Sequence, residues 1–353
     1  MASSRATIAA GLMLIAAAST ILQASGETFA VEPGGLQSAL DKVQPGDTIR
    51  LGAGEYWETV VTKTDGGNLR LVLKGGTGGG NQKGYIEGGT LEIPVGPIYH
   101  RGKADAQTNY ADKCLYVQQN RDNEEEAREI EFNGHSFRSS INGLVISNMN
   151  IGNCGGECVR LRYFITYAQV YNTRVTDCGV HDFVLDGTAK NGEGIYLGTS
   201  SNQWADGKNP SDEPDQSQFN HFFKNYFDTQ QGNEGIDIKE GSTHNLVEDN
   251  YCTGQKDPDS ACLDARGDGN IFRYNTIEHN VGAAIRFGGH DIDGHVYGVD
   301  NEAYDNLMVD NAYAAIKLTV SPQGFICKNN IVGESEHIRG GGGGEGLDPT
   351  AEC

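Results

Sequence analysis

The sequence predicts an all-β protein built as a single-stranded parallel β-helix, a solenoid of stacked coils with a short capping helix at its N-terminal end. Two observations lead to this prediction: an apolar position recurs through the second half of the chain, and an asparagine position recurs with it. Glycine is abundant, at 49 of 353 residues. Short alternating stretches between Gly, Asn and Asp turns indicate strands, and long helical periodicity is absent.

The apolar position is found by aligning six segments of the chain. They are GECVRLRYF (156–164), GEGIYLG (192–198), NEGIDIKEG (233–241), SACLDARGDG (260–269), GAAIRFGG (282–289) and YAAIKLTV (313–320). Their first core residues are Val159, Ile195, Ile236, Leu263, Ile285 and Ile316, and the later steps are 27, 22 and 31 residues. A period of this size with unequal steps is typical of stacked coils that carry loop insertions.

The asparagine position gives a second repeat that is coupled to the first. It begins the segments NMNI, NTRV, NYF, NYC, NTI, NLM and NNI at positions 148, 172, 225, 250, 275, 306 and 329. Asparagine tolerates the left-handed backbone of turns, and its side chains can stack in ladders. A propeller has longer repeats and a leucine-rich repeat has its own consensus, so a parallel β-helix is favoured.

The ends of the chain differ from the repeats. Residues 1–26 resemble a secretory signal peptide, because Arg5 precedes an apolar run and small residues follow it. The alternative, a membrane anchor, is disfavoured because the run is shorter than roughly 20 residues and lacks a basic flank. Segment 34–56 predicts the capping helix and a first strand. We therefore expect a secreted, extracellular protein with a β-helix domain over 27–338 and a Gly-rich tail over 339–353.

Charge and cysteine content narrow the partners and the compartment. A net charge of −21 disfavours binding of nucleic acid or anionic membrane through bulk electrostatics, so neither is expected as a partner. We also expect the protein to be a monomer. Eight cysteines behind a signal peptide indicate disulfides. Among the many connectivities, we expect Cys252–Cys262 to close a short loop and Cys327–Cys353 to hold the tail.

Two polar segments interrupt the repeats, at 100–135 and 200–218. Each is either a solvent-exposed loop or the wall of a groove, because long insertions often carry binding residues. In the second interpretation, Trp204 would stack on a sugar ring.

Strand alternation sends the residue after each core position outward. This outward column consists of Arg160, Tyr196, Asp237, Asp264, Arg286 and Lys317, and a second column, two residues on, of Arg162, Gly198, Lys239, Arg266, Gly288 and Thr319. Coils lie roughly 4.8 Å apart, so a D-x-[KR] pattern repeats on adjacent rungs. The pattern indicates either two exposed salt bridges, each worth roughly 0 to 1 kcal/mol, or a binding site in a groove.

The whole mature chain resembles the pectate-lyase-like right-handed parallel β-helix superfamily, and LQSALDKVQPGDTIRLGAGEY (36–56) resembles the opening of its chondroitinase-B-like and alginate-lyase branch. EGIDIK and, one coil on, LDARGDG match the order of that branch's functional residues. The resemblance implies Ca²⁺ that holds a substrate carboxylate, with Lys239 as base, Arg266 assisting and Glu234 as a calcium ligand. The sequence departs from the branch at Gly232, where the branch has a second glutamate, at Gly267, where it has a histidine, and in a longer gap between the two coils.

These residue types suit the β-elimination of an acidic, uronate-containing polysaccharide. The C5 proton becomes acidic when a cation or an arginine neutralises the neighbouring carboxylate, and an adjacent arginine lowers the pKa of a lysine base. Ca²⁺ prefers several oxygen ligands. The predicted ligands are Glu193, Glu234, Asp237 and Asp264; the catalytic residues are Lys239 and Arg266, with Tyr196 or His290 as acid; and the substrate-binding residues are Arg160, Arg162, Arg286, Lys317 and Trp204. The sequence thus predicts a secreted polysaccharide lyase.

Several other functions stay open at this stage. A β-helix glycoside hydrolase would use Asp237 and Asp264 as acid and base, and a uronate C5-epimerase would share the proton chemistry. A non-catalytic carbohydrate-binding surface protein would use the same groove. The segments GGHDIDGH (288–295) and CGVHDFVLDG (178–187) also contain histidines and aspartates, which we interpret as turn residues with a metal or catalytic role as the alternative.

Overall fold

The computed structural model describes residues 154–179, 191–209, 211–230, 232–334, 336–342, 344 and 346–353, and, between residues 27 and 152, the strands given below with a few of their neighbours. The predicted signal peptide, His181, Asp182 and most of the 100–135 segment lie outside these residues. No helix among them is long and apolar enough to cross a membrane.

The described chain is built almost entirely of short strands. In chain order they are β1(Thr28–Val31), β2(Asp47–Ala53), β3(Thr59–Val61), β4(Arg70–Gly76), β5(Gln82–Glu87), β6(Thr90–Pro94), β7(Leu115–Gln118), β8(Arg128–Phe132), β9(His135–Ser139), β10(Ile141–Asn142), β11(Val145–Ser147), β12(Asn150–Gly152), β13(Val159–Arg162), β14(Ile165–Thr166), β15(Gln169–Tyr171), β16(Arg174–Thr176), β17(Ile195–Leu197), β18(His221–Phe223), β19(Tyr226–Asp228), β20(Ile236–Ile238), β21(Leu246–Glu248), β22(Tyr251–Thr253), β23(Ala261–Ala265), β24(Ile271–Arg273), β25(Thr276–Glu278), β26(Ala283–Phe287), β27(Asp291–Ile292), β28(His295–Val296), β29(Glu302–Tyr304), β30(Leu307–Val309), β31(Ile316–Leu318), β32(Ile326–Cys327), β33(Asn330–Val332) and β34(Ile338–Arg339).

Three long sheets wrap around one core. Sheet 1 has 11 strands in the order β1-β2-β4-β5-β11-β15-β18-β21-β24-β29-β32; sheet 2 has seven, β12-β16-β19-β22-β25-β30-β33; sheet 3 has ten, β3-β6-β7-β13-β17-β20-β23-β26-β31-β34. From β11 onward, each coil contributes one strand to each sheet in turn, and neighbouring coils pair in parallel. This arrangement is the predicted right-handed parallel β-helix.

The predicted core register is confirmed. Sheet 3 pairs Val159 with Ile195, and then Ile195 with Ile236. The series continues through Leu263, Ile285 and Ile316, and all six residues are fully buried. Because side chains alternate between the two faces of a strand, the residues that flank each of these core positions face outward. The register therefore also places the outward columns.

The N-terminal part departs from the regular repeat. β4, β5 and β11 pair in antiparallel fashion in sheet 1, as do β3, β6 and β7 in sheet 3, and β8 and β9 form a hairpin. The repeat pattern of the sequence does not predict these pairings. Of the predicted cap, the structure describes a helical turn at Ser38 and Ala39, where the Ala39 N–H donates to the Gly35 carbonyl oxygen at 3.2 Å. The strand predicted after it is present as β2(Asp47–Ala53), but it is the second strand of sheet 1, because β1 precedes it and pairs with it in parallel.

Asparagine ladders line the corners of the solenoid, as the sequence predicts. The Nδ2 of Asn225 donates to Oδ1 of Asn250 at 3.0 Å, and the same bond is repeated to Asn275, Asn306 and Asn329. A second ladder joins Asn220, Asn245, Asn270 and Asn301, and a third joins Asn280 to Asn311. These buried amides also donate to backbone carbonyls, so they satisfy polar groups at corners that the sheets leave unpaired.

The left-handed residue at these corners is the one before the asparagine, which corrects the predicted position. Lys224 has φ 54°, Asp249 55° and Tyr274 56°. The asparagine that follows is thereby free to point inward into the ladder. In the 172 segment, Asn172 takes the left-handed position with φ 48°, and Thr173 occupies the place of the ladder asparagine, its N–H donating to Asn225 Oδ1.

The corners differ in how much their length varies. Between sheet 1 and sheet 2, all six described corners from β15–β16 to β32–β33 have two residues. The corners on either side of sheet 3 range from 4 residues between β25 and β26 to 23 between β17 and β18. The insertion at 200–218 and the β27–β28 hairpin both lie in corners that follow strands of sheet 3.

Both expected disulfides are present. Cys252 is bonded to Cys262 across the corner between sheets 2 and 3, and Cys327 is bonded to Cys353. The latter holds the C-terminal segment on the last coil, where the N–H of Lys328 donates to the carbonyl of Ala351 at 2.8 Å. The C-terminal residues are therefore attached to the solenoid.

A further pair of cysteines lies at contact distance. The Sγ atoms of Cys158 and Cys178 are 3.0 Å apart, and both residues are fully buried. We expect Cys158 and Cys178 to form a disulfide during folding by two thiol–disulfide exchanges with a small disulfide such as oxidised glutathione. The two cysteine thiols lose their protons, and two glutathione thiols are released. Burial raises the pKa of the folded Cys178 thiol, which disfavours the attacking thiolate later.

The check is the mass of the unreduced protein after alkylation under denaturing conditions. We expect Cys158 and Cys178 to stay unalkylated and to appear in one cross-linked peptide. Protein refolded under reducing conditions serves as the control, in which both should be alkylated. Alkylation of both in oxidatively folded protein would contradict the expectation.

Candidate functional site

The outward column of sheet 3 has the predicted order. Arg160 pairs in register with Tyr196, Tyr196 with Asp237, and Asp237 with Asp264. The pairing continues to Arg286 and Lys317. The middle of the column is buried: Asp237 and Asp264 have no exposed surface. The predicted pairs Asp237–Lys239 and Asp264–Arg266 both form, but they are not the exposed surface salt bridges of the simpler interpretation.

Tyr196 and Lys239 form the centre of this region. Lys239 Nζ lies 4.4 Å from the centroid of the Tyr196 ring, and Arg160 Cζ lies 3.4 Å from it, so the ring is between two cations. Such contacts are favourable when the groups are desolvated. Burial raises the pKa of the Tyr196 phenol, against the opposing effect of Lys239 and Arg160, so the phenol keeps its proton at neutral pH.

The predicted lowering of the Lys239 pKa is wrong. Burial and the nearby Arg266 do lower this pKa, but Asp237, Tyr196 and Glu193 outweigh them, and the pKa is raised overall. Lys239 forms an ion pair with Asp237, whose own pKa is lowered by Lys239 and the neighbouring arginines against the effect of burial. The resting lysine is therefore charged.

Asp264 joins two arginines and does not join the acidic cluster. Its Oδ1 accepts a hydrogen bond from Arg286 Nε at 2.9 Å, its Oδ2 pairs with the same guanidinium, and Arg266 Nε lies 3.5 Å from Oδ2. A bidentate arginine occupies the carboxylate lone pairs that a metal ion would need. The prediction of Asp264 as a metal ligand is therefore not supported by its contacts.

Three carboxylates remain together. Glu193, Glu234 and Asp237 each offer an oxygen, and these atoms lie within 4.8 Å of one another. Among the described residues, Glu234 Oε2 and Asp237 Oδ1 are buried without a hydrogen-bond partner. Burial, with help from neighbouring carboxylates, raises the pKa of Glu193 to about 8 and that of Glu234 to about 7. Orphaned oxygens on converging carboxylates fit a hard cation such as Ca²⁺.

Three predicted substrate contacts have a different role. Arg162 Nε donates to Asn209 Oδ1 at 2.6 Å, and Arg160 Nη2 donates to Gln203 Oε1 at 3.2 Å. Trp204 is only 8% exposed, and its indole N–H donates to the Thr199 carbonyl. Arg160 and Arg162 thus hold the 200–218 insertion against sheet 3, and Trp204 packs within it, so none of the three presents a free surface to a sugar.

Glu240 is a residue that the sequence analysis missed. It is fully buried; its Oε2 accepts from the Ser201 N–H at 3.2 Å, and its Oε1 lies 3.0 Å from His290 Nδ1 and 4.0 Å from Arg266 Nη1. It therefore joins the insertion, the predicted acid and the predicted arginine. Glu240 directly follows Lys239 in the repeat, and alternation continued that far would send it toward the core. Because β20 ends at Ile238, alternation could not predict the contacts that Glu240 makes.

The 288–295 segment does not gather a metal site. His290 contacts Glu240, whereas His295 Nε2 contacts Asp268 Oδ2 at 3.0 Å at the far end of the hairpin formed by β27 and β28. His290 has half of its side chain exposed. Its described polar partners are Glu240 and Ser201, and no contact with Lys239 or Tyr196 is seen among the described residues.

Comparison with known proteins adds one structural similarity. The chain is similar to an alginate lyase from Paenibacillus sp. str. FPU-7, with a TM-score of 0.48 and 16% sequence identity, over 88% of this chain and 99% of that chain. No protein-family model matches the chain, and no curated protein matches it. The fold rests on the chain's own sheets, and it is the right-handed parallel β-helix implied by the resemblance to the pectate-lyase-like superfamily.

The raised carboxyl pKa values predict how stability depends on pH. Glu193 and Glu234 bind protons more tightly when folded than at their ordinary pKa of 4.5, so the folded state holds more protons than the unfolded state between that value and about 8. The free energy of unfolding should therefore fall as pH rises through this window. Urea unfolding at a series of pH values measures it.

The variant Glu193→Gln/Glu234→Gln should flatten this dependence, because a neutral amide replaces each titrating group. Asp212→Asn, at an exposed carboxylate of the insertion, is the control and should leave the profile unchanged. An unchanged slope in the double variant would contradict the assignment.

Proposed function

We propose that the protein is a secreted polysaccharide lyase that cleaves an acidic, uronate-containing polysaccharide by β-elimination. The observation that supports it most is the contact of Lys239 with Tyr196, beside Arg266 and next to carboxylate oxygens that have no hydrogen-bond partner. A base, an acid and a means of neutralising a carboxylate are the three requirements of this reaction.

Arg266 is suited to the neutralising role. Its side chain is 24% exposed and leaves the rung next to that of Lys239. The partners Asp264 and Glu240 hold it at 3.5 Å and 4.0 Å, longer than good charge-assisted hydrogen bonds. A substrate carboxylate can therefore pair with a guanidinium whose donors are incompletely used, and the C5 proton beside that carboxylate becomes more acidic.

Lys239 takes the C5 proton in this proposal, and Tyr196 protonates the leaving oxygen. The raised pKa of Tyr196 suits an acid, because the phenol is protonated at neutral pH and lies in contact with Lys239. The raised pKa of Lys239 means that the resting ammonium must first release a proton to water before it can act as a base. The ion pair with Asp237 keeps Lys239 protonated. Neutralising the negative charge of Asp237 would therefore lower the pKa of Lys239 and allow the lysine to act as a base.

Glu193, Glu234 and Asp237 would hold Ca²⁺ if the protein uses it. Bound there, the ion would supply positive charge toward a substrate carboxylate and would compete with Lys239 for Asp237, which lowers the pKa of the lysine. Asp264 is excluded from this set by its arginine partners. Calorimetric titration with Ca²⁺ tests the set, with Glu234→Gln as the variant that should lose the heat.

The hydrolase alternative is less well supported. Asp237 and Asp264 would have to exchange protons as acid and base, but each is paired with a cation, and the pKa of Asp237 is lowered. A carboxyl group that acts as an acid at neutral pH needs a raised pKa. The epimerase and the non-catalytic binding protein use the same contacts as the lyase, so only products distinguish them.

The deciding experiment is a screen of pectate, alginate, glucuronan and glycosaminoglycans with and without Ca²⁺. A lyase yields unsaturated products that absorb ultraviolet light. New reducing ends without that absorption indicate a hydrolase, and solvent deuterium at C5 of an uncut chain indicates an epimerase. Binding with unchanged polymer length and no exchange indicates a binding protein.

A further inference from the structure

Three cations follow one another on the outward face of sheet 3, beyond the candidate site. Arg286 pairs in register with Lys317, and Lys317 pairs with Arg339. Neighbouring coils are roughly 4.8 Å apart, and like charges directly opposite each other on adjacent strands are destabilising. In a chain of net charge −21 this row stands out, because carboxylates are the more abundant charged groups.

The three cations are neutralised unequally. Arg286 has Asp264. Arg339 has Glu336 at 3.7 Å, a pair in which both side chains are about half exposed and which therefore contributes little. Lys317 donates to the backbone carbonyl of Asp259 at 2.6 Å and forms no ion pair with a carboxylate of the described residues. Burial and the nearby Arg286 lower its pKa, as expected for a cation short of negative charge.

The ring of Tyr313 contacts both Lys317 and Arg339. Lys317 Nζ lies 5.0 Å from the centroid of its ring, and Arg339 Cζ lies 4.5 Å from it. The ring is partly exposed, as is Lys317. Cations that are kept in place by a ring have less freedom to lose when an anion binds, so the cluster is prepared to receive one.

We infer that Lys317, Arg339 and Tyr313 form a separate subsite that binds a carboxylate of the polymer chain, at a distance from the bond that is cleaved. The inference rests on the proposed function, which supplies the acidic polysaccharide. Lys317 lies three rungs from the rung of Asp237, roughly 14 Å along the solenoid. A chain that reaches from Lys239 to this cluster must span several sugar units, so the subsite favours polymers over short fragments.

The test is affinity electrophoresis in gels that contain alginate or pectate, with Lys239→Ala as the parent so that the polymer stays intact. The variant Lys317→Gln/Arg339→Gln in this parent should weaken retardation roughly tenfold, as the loss of two partly exposed charge contacts would. The matched control is Arg174→Gln, which removes an exposed arginine that lies 4.2 Å from the centroid of the Tyr226 ring on sheet 2. It should leave retardation unchanged, and thermal melting of each variant verifies the fold.

The outcomes separate this inference from the proposed function. A parent that is retarded neither by these two polymers nor, in the same assay, by glucuronan or a glycosaminoglycan overturns both. A parent that is retarded equally with and without the Lys317 and Arg339 substitutions overturns the subsite and leaves the proposed function standing, as does an equal loss in the Arg174 control. In the active enzyme, the double variant should raise KM for polymer about tenfold and leave KM for the shortest cleaved oligomer unchanged.

Discussion

Replacing Lys239 with alanine is expected to lower turnover of the acidic polysaccharide by roughly 10² to 10⁴, the usual effect of losing a general base. The protein should still fold, because the apolar core of sheet 3 lies on the opposite side of each strand, but the substitution leaves buried Asp237 without its ion-pair partner and should lower the free energy of unfolding. Release of unsaturated product, measured by ultraviolet absorption, gives the rate, and circular dichroism gives the fold. Lys208→Ala, at an exposed lysine of the insertion, is the control and should keep full activity.

Arg266→Ala should reduce the same rate and also weaken substrate binding, because in the proposed mechanism the arginine contacts the substrate carboxylate before and during the reaction. Near-full lyase activity of Lys239→Ala on the true substrate would show that the two D-x-[KR] pairs are structural. A comparison of the rate against pH is informative as well: the Lys239 variant should lose the rise in rate that accompanies deprotonation of the lysine.

Asp264→Asn is expected to cost about 3 to 5 kcal/mol in the free energy of unfolding, the range for breaking a buried ion pair by removing one partner. The asparagine leaves Arg266 and the mostly covered Arg286 without their shared charge, and Arg286 keeps only the longer pair with Glu234 at 3.3 Å. Urea unfolding measures the loss. The control is Glu336→Gln, which removes the carboxylate from an exposed arginine pair and should change stability by no more than about 0.5 kcal/mol.

A loss below about 1 kcal/mol in Asp264→Asn would show that solvent reaches Asp264 and that the pair behaves like a surface salt bridge. The result also bears on the proposed site. If the fold depends on Asp264, its charge is committed to Arg286 and is not available to a metal ion.

The sequence was sufficient to predict the fold and the order of the outward column. Strand alternation has a period of two, so once Ile236 and Leu263 were aligned, the facing of Asp237 and Asp264 followed without further information. The same reasoning could not predict burial. What covers Arg160 and Arg162 is the 200–218 insertion, and a strand pattern carries no information about how a loop folds back on it.

The charge states of the site residues could not be predicted from the sequence either. The pKa of Lys239 depends on distances to Asp237, Tyr196 and Arg266 together, and only the first could be guessed from spacing. Similarly, Trp204 was assigned to a groove because aromatic residues in loops often bind sugars, whereas its indole N–H has a backbone partner within the insertion. The N-terminal antiparallel pairings had no repeat to reveal them.

The two-residue corners between sheets 1 and 2 have a consequence for how this molecule can change. A corner of fixed length, with a left-handed residue and an inward asparagine, tolerates no insertion without interrupting its ladder. Every described difference in corner length therefore falls beside sheet 3, on the two borders of the candidate site. Lengthening or exchanging those loops alters what surrounds the substrate and leaves the ladder edge intact. The solenoid thus confines changes in loop length to the loops that border sheet 3, where a new substrate specificity can arise without loss of the asparagine ladders that stabilise the fold.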